Sequence, residues 1–137
     1  VSDQVENDEG EVAPQSNRKH RGQKNFLSGM AAEAAVARAY EAAGMVILRR
    51  RWRGRGGEID LIVRNGAEII FVEVKKSRDF ARASEQLRPR QMARLMRAGE
   101  EFVGGEPAGL LTPMRFDVAL MDDQGRIQIL ENALCAA

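Results

Sequence analysis

The sequence predicts an α/β layered domain around a mixed sheet, in the order α-β-β-β-α-β-β, and three observations lead there. An alanine-rich stretch over residues 28–43 has helical spacing and is stopped by Gly44. Two apolar runs, Glu58–Val63 and Ile69–Lys75, flank Asn65-Gly66, the strongest short hairpin signal because both residues tolerate positive φ. A second helical stretch begins at Pro89, and two further β-type runs follow it.

Residues 1–25 read as a disordered polar tail. Asp3, Glu6, Asp8, Glu9 and Glu11 form an acidic block and Arg18, Lys19, Arg21 and Lys24 a basic one, with hardly any apolar side chains to bury. A single domain is expected over 26–133, with 134–137 as a C-terminal tail. In the first helix Ser28 reads as the N-cap, and Val36, Ala37 and Tyr40 share one face. Glu33 lies on that same face by spacing, either at its edge and turned outward or as an acid aimed at the interior.

Met45–Arg50 is the first strand. It runs into Arg49-Arg50-Arg51-Trp52-Arg53-Gly54-Arg55-Gly56-Gly57, five arginines around one tryptophan. Arginine is the preferred phosphate clamp and an aromatic among arginines can stack on a base, so Arg51, Trp52, Arg53 and Arg55 are candidate nucleic-acid contacts. The alternative is a solvated loop whose Trp52 plugs the core, and the two readings are compatible. The glycines are not a nucleotide-type phosphate loop, since they lead into a strand rather than opening a helix.

After Lys75 a polar loop reaches Arg88, and Pro89 opens a helix that Gly104-Gly105 ends. Met92, Leu95, Met96, Gly99 and Phe102 are its expected buried stripe. Arg90, Arg94 and Arg97, spaced by four and three, line another face that is either simply solvated or a track for a phosphate backbone. Arg115–Leu120 is the fourth strand, Asp122–Gly125 a turn, and Ile127–Leu130 a short last strand, with Asp117 expected to pair with an arginine.

Composition narrows the chemistry. With 137 residues, 44% hydrophobic and 30% charged, the chain suits one ordinary globular domain. Its net charge of +1 does not announce a nucleic-acid binder. One cysteine, Cys135, and one histidine, His20, leave almost no material for a zinc site or for Ser-His or Cys-His catalysis. No apolar run approaches the ~20 residues of a membrane span and no signal peptide is read ahead of the domain, so a cytoplasmic location is expected.

The acids in the hairpin are what remain to be explained. Carboxylates are depleted from strand interiors and costly to bury without a partner. With Asn65 and Gly66 as the loop, Arg64 pairs with Ala67 and Asp60 faces Phe71. Glu58, Asp60 and Ile62 then share a face with Ile69, Phe71, Glu73 and Lys75. Asp60 and Glu73 become diagonal neighbours, roughly 7–8 Å apart at the backbone, near enough to share a divalent ion. A three-residue loop would instead put them on opposite faces. Oxygen-only ligands favour Mg²⁺ or Mn²⁺ over zinc, and Lys75 could offset charge on a phosphate oxygen.

At these residues the chain resembles a known group. An acid in the first helix, Gly57-Glu58-Ile59-Asp60, and Phe71-Val72-Glu73-Val74-Lys75 after a hairpin are similar to the PD-(D/E)xK, or restriction-endonuclease-like, nuclease superfamily. With Arg115-Phe116-Asp117-Val118 the pattern is closer still to its small, uncharacterised YraN-like family, over about residues 28–133. The resemblance implies a restriction-endonuclease-like fold, Asp60 and Glu73 as metal ligands and Lys75 as the catalytic lysine. It implies Glu33 as a further acid at the metal, as in Holliday-junction resolvase-like relatives, and Gln91 as the glutamine some members carry in the helix after the lysine. The expected function is a metal-dependent nuclease acting on DNA, with branched or damaged structures among its candidate substrates. The alternatives are a nucleic-acid-binding module of nuclease ancestry and an interaction domain with a buried structural ion cluster. A homodimer is expected by analogy with junction-cleaving enzymes.

Overall fold

The computed structural model describes residues 29–133. The expected N-terminal tail, the Ser28 cap and the last four residues lie outside these. Two units are distinguished, 1–31 and 32–137; of the first, residues 29–31 are described and are helical.

Helix α1 occupies residues 29–42 and ends where expected, because Gly44 takes φ +91° while its N–H bonds back to the Glu41 carbonyl at 2.9 Å. Strand β1, Val46–Arg53, extends beyond its expected end at Arg50, so the arginine run is strand rather than loop. It pairs antiparallel with β2, Glu58–Asn65, through a register shift between Ile47 and Arg49. Strand β3, Glu68–Lys76, completes the hairpin.

The hairpin register differs from the expected one by two residues. Asn65 stays in the ladder opposite Glu68, and the loop is Gly66-Ala67, with Gly66 at φ +63°. Packing decides this. The observed register sets Val63 against Ile70 and Leu61 against Val72, whereas the expected one would set Val63 against Glu68. An even shift preserves which side chains share a face. It also moves the two acids from diagonal to opposite positions when the ladder is continued from Leu61↔Val72.

A five-residue helix α2, Phe80–Ser84, lies where a loop was expected, so the described order is α-β-β-β-α-α-β-β. Asp79 caps it by accepting the Arg82 N–H at 2.9 Å. Five residues are too few to leave a periodic signature. Helix α3, Pro89–Val103, follows as expected. The crossover through α2 and α3 brings β4, Met114–Met121, parallel to β3, and a hairpin at Asp122–Gly125 returns β5, Ile127–Leu130, antiparallel to β4. The sheet order is β1-β2-β3-β4-β5 and the sheet is mixed, as expected.

Each face of the sheet has its own apolar cluster. Val36, Ala37 and Tyr40 of α1 pack on Leu61, Val63, Ile70 and Val72. On the other face Leu95, Ala98 and Val103 of α3 pack on Ile59, Ile62, Ile69 and Phe71. The expected stripe of α3 needs one correction. Met96 is 43% exposed on the helix's outer shoulder, and the small Ala98 lies at the contact instead. Gly99 lets the helix approach closely, since a Cβ there would sit 2.7 Å from the Phe116 ring and 3.0 Å from that of Phe71. Gly99→Val is therefore expected to destabilise the fold by about 1–3 kcal/mol by overpacking, read as a lower urea midpoint at unchanged m-value.

Candidate metal centre

The face of the sheet beneath α3 is apolar at one end and acidic at the other. Asp60 leaves β2, and Glu73 and Lys75 leave β3, toward the same side, because residues two apart on a strand share a face. Asp60 Oδ2 accepts the Val74 N–H at 2.8 Å, and its carboxyl also shares a hydrogen bond with that of Glu73. Burial, then the neighbouring Glu73 charge, pushes the Asp60 carboxyl up to about 7; the Val74 N–H and Lys75 pull the other way.

Glu73 is 7% exposed, and its Oε2 is the hub of the cluster. Lys75 Nζ approaches it at 3.0 Å and Gln91 Nε2 donates to it at 2.6 Å. Gln91 reaches down from the first turns of α3, so β2, β3 and α3 each contribute. Over the cluster opens a pocket of about 230 Å³ lined by Gly57, Glu58, Asp60, Glu73, Gln91, Arg94 and Leu95.

Glu33 stands one step away. It is half-buried on α1, its Oε1 taking the Arg51 Nε at 3.0 Å. Burial and then the Asp60 charge raise its pKa, which places it within electrostatic reach of the pair, but it does not line the pocket. Among the described residues no three His, Cys, Asp or Glu side chains converge tightly enough to form a metal cluster unaided. The acid pair offers two hard oxygen donors instead. Mg²⁺ is commonly held by one or two carboxylates, with waters and substrate phosphates completing its shell.

The other candidates are more scattered. Arg51 has φ 51°, the left-handed region, within β1 opposite Asp60, a strained geometry that no sequence pattern announced. Trp52 packs edge-on against Phe102 at 5.4 Å and belongs to the core cluster of α3. Arg53 is exposed and 3.9 Å from Glu58. Arg55 is exposed, with its backbone N–H on Glu101. Arg90 and Arg94 are exposed on α3, and Arg94 borders the acid pocket. Asp117, as expected, pairs with arginine: Arg115 Nε and Nη2 grip it at 2.8 and 3.0 Å. Arg88, not among the candidates above, lines a neighbouring cleft with Arg90, Gln91 and Arg94; its place just before the Pro89 helix start is the signal that the sequence offers.

Fold and site together define an α/β protein with a carboxylate pair, a lysine and a glutamine clustered at one end of a mixed sheet. The chain belongs to the uncharacterised protein family UPF0102, which it matches over residues 32–121. It is 63% identical over 113 residues to a UPF0102 protein of Ruegeria pomeroyi, covering 82% of this chain and 92% of the relative. It is 54% identical over 122 residues to one of Roseobacter denitrificans, covering 88% and 95%. To one of Dinoroseobacter shibae it is 48% identical over 117 residues, covering 84% and 86%. Among the described residues no helix is long and apolar enough to cross a membrane.

Proposed function

We propose that the protein is a Mg²⁺- or Mn²⁺-dependent nuclease that hydrolyses DNA phosphodiester bonds, with branched or damaged DNA as the first substrates to try. The observation that carries this reading is the Asp60–Glu73 carboxyl pair, kept in contact beneath an open pocket with Lys75 Nζ 3.0 Å from Glu73. Two acids in contact hold more negative charge than the fold needs, and a divalent cation relieves it. The resemblance of Gly57–Asp60 and Phe71–Lys75 to the PD-(D/E)xK superfamily and its YraN-like family supports the same assignment.

A divalent ion held by Asp60 and Glu73 would supply Lewis-acid polarisation and a more acidic water. This chain's residues supply the rest. Gln91 holds the Glu73 carboxylate through Oε2, and both side chains line the pocket. Lys75, in the same face, is positioned to leave Glu73 for a phosphate oxygen and offset charge developing there. Arg94 at the rim offers a second cation to the diester. Glu33, carried over by resemblance, would join as a third acid once Arg51 lets it go.

A nucleic-acid-binding module without catalysis is the second reading. It is favoured by the absence of a three-acid cluster among the described residues and by Lys75 being engaged with Glu73. A panel of single-stranded, duplex, flap and four-way-junction DNA incubated with Mn²⁺ separates the two. Cleavage of at least one member, reduced 10²-fold or more in Asp60→Ala and in Lys75→Ala, is the expected result. Binding without cleavage across the panel would select the module.

A further inference from the structure

The acid pocket does not end at Arg94. A second cleft of about 580 Å³ adjoins it, lined by Arg88, Pro89, Arg90, Gln91 and Arg94, so Gln91 and Arg94 are walls common to both. Arg90, Arg94 and Arg97 follow one another by four and three residues and form one stripe on α3. Arg88, Arg90, Arg94 and Arg97 are all exposed. Among the described residues none of them has an ion pair or side-chain hydrogen bond. Elsewhere in the fold Arg51 is tied to Glu33, Arg64 to Glu106, Arg115 to Asp117 and Arg126 to Asp122.

The stripe is bounded. Gly56 lies close against it, where a Cβ would meet the Arg97 Cβ at 3.3 Å. Glu101, next on the same side of α3, takes the Arg55 N–H at 2.8 Å and sets a negative charge at the lower end. From Arg90 to Arg97 the helix advances about 10 Å, long enough to lie beside more than one phosphate of a single strand.

We propose that Arg88, Arg90, Arg94 and Arg97 form the track for one DNA strand, seating the phosphates that flank the one over the acid pair. The cleft of Arg88, Arg90 and Arg94 takes the phosphate next to the scissile one. This rests on the reading above that a DNA strand enters the acid pocket. It adds that affinity resides in α3 and in a single backbone, while the acids oppose binding. The track carries no base readout, since guanidinium–phosphate contacts position without specifying sequence.

The test is fluorescence anisotropy with labelled single-stranded and duplex DNA in EDTA, titrated with KCl. Arg90→Ala/Arg94→Ala is compared with Arg38→Ala/Arg82→Ala, which loses the same charge from other surfaces; thermal melts check that both fold. The α3 pair is expected to weaken binding tenfold or more and to flatten the log K against log salt slope by about 1.4 on single strands and about 1.8 on duplex. The comparison pair should leave that slope nearly unchanged, and Asp60→Asn should bind at least as well as the parent. Equal losses in both pairs, a loss on duplex alone, or no salt-dependent binding at all would overturn the track. Failure of cleavage with the α3 dependence intact would remove the nuclease reading and leave the track standing. Cleavage with no α3 dependence would do the reverse.

Discussion

Asp60→Asn is expected to abolish metal-dependent cleavage while raising the melting temperature of the metal-free protein at pH 8. In the fold the Asp60 carboxyl is pushed up to about 7 by burial and by Glu73, against an unfolded value near 3.9. A raised carboxylate takes up a proton on folding, so its contribution is fully present below about pH 4 and is lost as pH rises toward 7. Above that the charged pair is a standing cost, of roughly 1–3 kcal/mol for a group in this setting. Asparagine imitates the protonated acid: its oxygen can accept the Val74 N–H and its amide can donate to Glu73. Differential scanning fluorimetry at pH 5 and pH 8, with and without Mg²⁺, gives the readout. The variant should gain most at pH 8, and added Mg²⁺ should stabilise the parent but not the variant. A melting temperature that falls at pH 8 would mean that the cluster is a structural ion network and not a cation site.

Asp117→Ala should be the most destabilising single change at a polar residue, by about 3–5 kcal/mol in urea unfolding. Asp117 is 1% exposed and every approach to it is occupied. Arg115 grips it with two nitrogens, Tyr40 donates its hydroxyl at 2.7 Å, and the Asn132 N–H donates at 3.0 Å. Removing the carboxylate leaves Arg115 Nε and Nη2, a hydroxyl and an amide without their acceptor, while Arg115 Nη1 keeps Glu68 at 3.7 Å. Tyr40→Phe removes one donor only and should cost about 1.5–3 kcal/mol. Because Asp117 lies on the α1 side of the sheet, DNA binding by the folded fraction should be unchanged. A loss under 1 kcal/mol would mean that the pocket relaxes to admit water.

The contrast between these two aspartates shows how far the sequence could be read. Both stand in apolar strands, and local composition treats them alike. Asp117 could be assigned to an arginine because Arg115, two residues away, shares its face. Asp60 could be assigned to a partner only through the hairpin, where parity was legible and register was not. Asn-Gly marks a turn, but the apolar pairing of Val63 with Ile70 and Leu61 with Val72 fixes which residues cross it. Helix α3 was legible from Pro89 to Val103, since a start signal, a stop signal and fifteen residues of period agree. The left-handed Arg51 was not, because its conformation comes from the strands around it rather than from its own preference. Gln91 needed the sheet in place: nothing in the chain between Glu73 and Gln91 says that the helix folds back over the strand.

That fold-back has a kinetic side. The β2–β3 hairpin joins the two acids through a two-residue loop, a contact of the kind that closes in microseconds. The β3–β4 pairing, Ile69 with Met114 through Lys76 with Met121, spans some forty-five residues and waits on both intervening helices. Repulsion is therefore assembled early and its supports arrive late. In a nascent chain the unsupported acid ladder is the element most dependent on ambient protons or cations, so the surrounding ionic medium sets how cheaply this molecule begins to fold.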